Sequence, residues 1–362
     1  MFRKSVFSRQ ISRLALALAV LMLAGCAAAP PKPEVRYLFP ALPNEPHIEF
    51  LNIYYSQDNL PKTEAQKTTE ALLGKPPLDF FTFPNSIASD GRGKAYISDP
   101  LASSIVSFDF VANKRDELLK GDNAGTVIKP HGLAVDSQGR LFVVDNESKK
   151  VVVFSSRGEP LFSFGGADYF KLPSFLALNE RLGRVYVSDS LAAQIVVFDL
   201  TGKHLFSFGK KGGGAGELFG PTGIAIAADN RVFVAEQLSA RIQYFDADGN
   251  HLGGFGERGT QDYNLEGPRG LAFDSDQNLH VLDARQARWK IFRPDGTLLL
   301  ALGALGKSTH PLGFTFPNAI WISPDDRIYI VDSFNKCFTV WWYLSESYLA
   351  SDPFGVRRNT VK

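Results

Sequence analysis

Six times along the chain a proline opens the same short pattern: PNSIASD from Pro84, PHGLAVD from Pro130, PSFLALN from Pro173, PTGIAIA from Pro221, PRGLAFD from Pro268 and PNAIWIS from Pro317. Successive prolines lie 46, 43, 48, 47 and 49 residues apart. A period of that length is one supersecondary unit, repeated because no copy can bury its own apolar faces alone. Each opening is followed by a turn and a second apolar run (KAYISD, RLFVVD, RVYVSD, RVFVAE, NLHVLD, RIYIVD). A third run comes about five residues later (SIVSFDF, VVVFSS, IVVFDL, IQYFDA, WKIFRP, FTVWWY), and several copies then turn at TGK, DGN or DGT into a fourth, such as HLFSFG. Short β-branched and aromatic runs divided by Gly and Asp turn signals are antiparallel hairpins. Units of four such strands stack around an axis, so the expected fold is all-β, a six-bladed β-propeller.

The pattern P-x-G-[IL]-A-[VI]-D, followed by an aromatic-Val-x-Asp strand and an Ile-x-Val-Phe strand, resembles the NHL repeat. The resemblance covers about residues 84–345 and implies a propeller without implying an activity, because this fold hosts enzymes, receptors and scaffolds. Ala227 and Ser323 depart from it by replacing the acid that closes the first strand, and Trp321 stands where the other five copies have Ala. The segment HIEFLNIYYS (47–56) reads as a fourth strand without its own first three. It is expected to complete the blade of residues 317–344 and leave no open edge. Pro61 and Gly74 bracket a short helical insert near 61–73. The propeller is thus assigned to 47–345 and a C-terminal tail to 346–362.

The first 25 residues carry Arg3, Lys4, Arg9 and Arg13 ahead of an apolar run, Leu14 to Leu23. That run is too short for a permanent membrane span and has the layout of a secretory signal. It ends in Leu23-Ala24-Gly25-Cys26, which resembles the lipobox of bacterial lipoproteins and implies acylation of Cys26. Ala27 follows instead of an aspartate, so an outer-membrane address, periplasmic or surface-facing, is the expectation. The proline-rich stretch 26–46 reads as a tether. Cys337 then has no partner for a disulfide, and packing is its expected role. Removing the first 25 residues takes four cations and no acid from a chain of formal charge +1. A mildly acidic exported protein is a poor match for nucleic acid.

Chemistry is sought where the first strands begin, at the mouth of the central channel. The residues following the repeat prolines are Asn85, His131, Ser174, Thr222, Arg269 and Asn318. Peptide-amidating lyases of this fold hold zinc with histidines in such positions. A catalytic zinc needs about three protein ligands, and only His131 qualifies, so that reading is disfavoured and His131 is taken as a polar lining residue. Calcium-dependent six-bladed lactonases use mouth asparagines with carboxylates; Asn85 and Asn318 offer two oxygens, but the ring contains no acid. No cofactor is therefore assigned, with calcium as the alternative. The acids ending each second strand (Asp99, Asp145, Asp189, Glu236, Asp283, Asp332) recur in every copy and are read as holding the loops. The glycine-rich GKKGGGAGELFGP lacks the Lys-Ser/Thr end of a phosphate loop. Arg241, Arg269, Arg285 and Arg288 map to one sector of the same face, able to fork onto a carboxylate or phosphate. Trp321 is read as packing against the closing blade. The function expected is binding of a partner protein or small anionic ligand by a monomeric, membrane-anchored propeller. The alternative is a hydrolase or lyase at the channel mouth.

Overall fold

The computed structural model describes residues 36–75, 77–78, 80–119 and 126–354. The signal segment, Cys26 and the end of the tail from residue 355 lie outside them. The chain divides into two units, residues 1–36 and 37–362. The second is a six-bladed propeller. Blades 1 to 5 are four-stranded antiparallel sheets in sequence order, with innermost strands Ser86–Ser89, Pro130–Val135, Pro173–Asn179, Pro221–Ile226 and Pro268–Phe273. Blade 6 takes Pro317–Ile322, Arg327–Asp332 and Cys337–Tyr343 from one end of the propeller and Ile48–Tyr54 from the other. This closure rests on aromatic packing as well as the ladder: Tyr54 stacks on Phe338 at 4.9 Å, and Phe50 meets Trp341 edge-on at 4.9 Å. A short strand, Tyr37–Phe39, adds to the outside of the same sheet, inside the stretch read as tether. The insert is a helix, Glu64–Leu73, capped by a reciprocal Thr63–Gln66 pair, and none of its residues is buried.

The core is not one body but six layers, one between each pair of neighbouring blades. Alternate residues of each middle strand feed the two adjoining layers, which is why these strands read as continuous apolar runs. The glycine of the repeat has a steric cause. A Cβ on Gly132 would lie 2.7 Å from the Cα of Phe175 in the next blade, and one on Gly270 would lie 2.9 Å from the Ile320 nitrogen. The innermost strands converge on the axis, and only a residue without a side chain lets their backbones pass so closely.

The recurring acids are structural. Asp145 is fully buried and accepts from the backbone N–H groups of Ile128, Lys129 and Glu147 and from the Ser148 hydroxyl. Asp99, Asp189, Asp283 and Asp332 likewise accept from the backbone N–H groups of the two residues that precede their own repeat proline. In blade 4 the longer Glu236 takes Phe219 N–H and also the side chains of Arg241 and Gln243. Four residues after each acid comes a non-glycine residue at positive φ, from 50° at Ser103 to 58° at Ala193 and Ala240. Each carboxylate thus fastens a strained loop to the segment leading into its blade.

Candidate functional site

The structure distributes the six mouth residues unevenly. Asn85, Thr222 and Asn318 are buried, while His131, Ser174 and Arg269 remain partly exposed. Thr222 donates to the carbonyls of Ala235 and Pro268, so it ties blade 4 to blade 5. The Ser174 hydroxyl donates to the Leu172 carbonyl and lies in hydrogen-bond contact with the Ser190 hydroxyl. Asn318 donates to the Asn85 carbonyl and side-chain oxygen, and its own oxygen accepts from Arg269 Nε. Arg269 Nη1 donates to Gln237 at 3.0 Å. One hydrogen-bonded chain therefore runs Gln237–Arg269–Asn318–Asn85, across blades 4, 5, 6 and 1.

Arg269 is the electrostatic centre of this mouth. Its guanidinium carbon lies 5.5 Å from the Phe316 ring centre and 5.8 Å from that of Phe175. Burial pulls its pKa down from 12.5 to about 10, and none of its partners is a carboxylate. It stays charged at neutral pH, and its Nη2 has no protein partner among the described residues. A second donor in the chain, Asn85 Nδ2, is buried without a partner. The mouth therefore carries positive charge, and both asparagine oxygens in it are engaged.

His131 fits this picture as a neutral group. Its pKa is lowered from 6.5 to about 4, first by burial and then by the Arg269 charge. The folded value lies below the unfolded one, so between pH 6.5 and 4 the unfolded chain binds the extra proton and stability falls as pH falls. The His131→Asn protein is expected to show a flatter melting temperature across that window than the parent; parallel curves would exclude this assignment.

The predicted arginine sector separates into different roles. Arg241 pairs with buried Glu236 at 2.6 Å and donates to the carbonyls of Gly213, Gly214 and Glu217. It pins the glycine-rich loop, and unlike the open sector residue expected from the sequence it has these donors engaged within the protein. Arg288 donates to the Gly303 carbonyl. Arg285 is exposed, with no charged partner among the described residues. Cys337 is fully buried at 3.3 Å from the Ser308 hydroxyl, and burial pushes its thiol up to about 12.

One feature of this face escaped the sequence reasoning. Two residues after each recurring acid, at the tip of each loop, stand Leu101, Glu147, Leu191, Leu238, Arg285 and Phe334. The four apolar ones are 69%, 64%, 50% and 58% exposed. Phe334 packs on Phe316 at 5.0 Å and on Phe83 at 5.7 Å, so rings lead from the outermost tip inward to Arg269. The signal was present as a column of the repeat: exposed tips are expected to be polar, and four of six are not.

Family models match an NHL repeat at residues 128–154 and a six-bladed β-propeller at 169–255. Curated proteins give no sequence match. Among solved structures, a Bacteroides thetaiotaomicron protein of unknown function superposes with TM-score 0.61 at 17% identity, covering 72% of this chain and 70% of that one. A virginiamycin B lyase from Staphylococcus aureus gives 0.53 at 15%, covering 72% and 95%. A gluconolactonase from Xanthomonas campestris gives 0.57 at 17%, covering 81% and 98%. At such identities the likeness is one of fold.

Proposed function

We propose that this six-bladed NHL-type propeller is a binding module that docks a partner protein on the face where its innermost strands begin. The partner inserts a carboxylate toward Arg269 and lays apolar side chains over the loop tips. The observation that carries the reading is the combination of a desolvated guanidinium lacking any carboxylate with a crown of exposed Leu and Phe around it. A charge held largely out of water without a counter-charge is costly and becomes more favourable when a ligand supplies the partner, while scattered apolar tips supply contact area. The lyase and lactonase among the structural neighbours keep an enzymatic reading in view. At the mouth His131 is neutral beside a cation and, with its pKa lowered to about 4, a weak base.

A photo-crosslinking residue at Phe334 or Leu238 is expected to capture one partner in cell envelopes, and Arg269→Met to abolish that product. The same probe at Val111, exposed at the opposite face, is the control. Equal capture from Val111, or capture indifferent to Arg269, would remove the proposal. We further infer attachment to the outer membrane through acyl chains on Cys26, each buried CH₂ contributing about 0.8 kcal/mol. Cys26→Ser should release the protein from the membrane fraction, and lipid labelling that persists in this variant would refute the anchor.

A further inference from the structure

The helix Glu64–Leu73 is turned the wrong way round. Helical spacing gathers Ala65, Thr68, Thr69, Leu72 and Leu73 on one side and leaves Glu64, Lys67 and Glu70 on the other. A helix on a protein surface turns its apolar side inward. Here the polar side is the one tied to the body. Lys62 bridges Asp58 and Glu70 at 2.8 Å each, and all three side chains are less than a quarter exposed. Leu60, beside them, is buried in the layer between blades 6 and 1. On the helix, Leu72 and Leu73 are 78% and 82% exposed. The segment after it adds exposed Leu78 and Phe80 before Phe81 enters the core. Four large apolar side chains exposed within residues 72–80 exceed the scattered singles of an ordinary surface. Ten residues are also too few to hold a helix by propensity alone, so its apolar side calls for a covering surface.

Chain direction says which surface is at hand. Strand Tyr37–Phe39 runs antiparallel to Ile48–Tyr54, with Tyr37 opposite Phe50 and Phe39 opposite Ile48. The chain therefore enters the propeller along blade 6 from the Tyr54 end, the end from which Ile48–Tyr54 leads on to the helix. Cys26 precedes Tyr37 by eleven residues, a reach of at most about 40 Å. An acylated Cys26 holds the bilayer within that distance of the end of blade 6 that carries the helix. Charge is not the attraction, since residues 57–80 contain three lysines against four acids.

We propose that the helix Glu64–Leu73 and the segment after it dock on the lipid bilayer, with Leu72, Leu73, Leu78 and Phe80 at the boundary between headgroups and acyl chains. A helix lying there sinks its apolar side about 5–10 Å. The contact rests on the Cys26 anchor, which brings the bilayer within reach, and it shares no residue with the mouth. A second attachment at blade 6 fixes the direction in which the mouth faces.

The test separates the helix from the anchor. A Cys26→Ser chain with an N-terminal histidine tag is held by a nickel-chelating lipid on vesicles of phosphatidylethanolamine and phosphatidylglycerol. Cys337 is fully buried, with its thiol pushed up to about 12, so Leu73→Cys supplies the one thiol that takes an environment-sensitive fluorophore. On these vesicles the probe at Leu73→Cys should shift to shorter wavelength and lose most of its emission to nitroxides placed shallow in the acyl chains, in low and high salt alike. A probe at Leu182→Cys, exposed on the opposite face, should do neither. Leu72→Glu with Leu78→Glu should return the Leu73→Cys probe to its emission in water without changing the melting temperature, because both leucines are exposed. The tag supplies the tether, so the result is read whether or not Cys26 is acylated in cells. A Leu73→Cys probe that stays in water on the vesicles, or a Leu182→Cys probe quenched as strongly, would overturn the proposal. Shielding of Leu73→Cys in cell envelopes but not on pure lipid would assign the patch to a protein and overturn it equally.

Discussion

Asp145→Ala is expected to melt roughly 10 °C below the parent while leaving affinity at the mouth unchanged in whatever fraction remains folded. The carboxylate is fully buried and accepts four hydrogen bonds, three of them from backbone N–H groups. Each donor stranded in the interior costs about 1–3 kcal/mol. Some will find water once the loop opens, so a total of ~3–5 kcal/mol is reasonable, and a domain of this size loses ~2–4 °C per kcal/mol. Asp145→Asn keeps one carbonyl-type oxygen and should lose about half as much. Glu147→Ala is the control. It removes only an exposed ion pair with Lys129, worth about 0–1 kcal/mol. If Asp145→Ala melted with Glu147→Ala, the recurring acids would not be the fasteners of this fold.

That prediction was available from the sequence because the acids recur. Anything repeated in all six blades serves what the blades share, and what they share is folding. The same logic made the ring closure readable, since an unpaired strand at residues 47–56 and a blade lacking its fourth strand specify each other. It fails for features that occur once. Arg241 looked like its neighbours Arg269 and Arg285, yet blade 4 alone has Glu where the others have Asp. The extra methylene lets Glu236 reach Arg241 and Gln243. That exception was visible in the sequence and would have removed Arg241 from the sector. Trp321 was visible as well, but the sequence shows only that an indole must go somewhere. Its reach, onto the layers between blades 6 and 1, 1 and 2, and 2 and 3, depends on how far the innermost strands stand from the axis, a property of the closed ring. Likewise nothing in PSFLALN says that Phe175 meets Arg269 from two blades away. Local pattern assigns a residue to a face; contact across the channel is set by closure.

Arg269→Met is expected to weaken partner binding about a hundredfold and to change stability by no more than ~2 kcal/mol. The two effects separate because the charge is poorly compensated in the free protein. A pKa drawn from 12.5 to about 10 by burial corresponds to an unfavourable ~3 kcal/mol for the charged form. This is offset by hydrogen bonds to Asn318 and Gln237 and by the faces of Phe175 and Phe316. Methionine forfeits the hydrogen bonds but fills the space between the rings without a desolvation cost. In the complex the balance changes, since a carboxylate reaching Arg269 meets a forked donor in a site with little water. Truncating one side of such a pair costs about 2–5 kcal/mol. Arg269→Lys should recover only part of the affinity, because an ammonium cannot present two parallel donors or lie flat between two rings. Arg285→Ala, at an exposed tip, should slow association a few-fold and mainly at low salt. Binding and melting curves on these three variants decide the matter. Were Arg269→Met to bind as tightly as the parent, the apolar tips would suffice for docking and the buried charge would require another explanation.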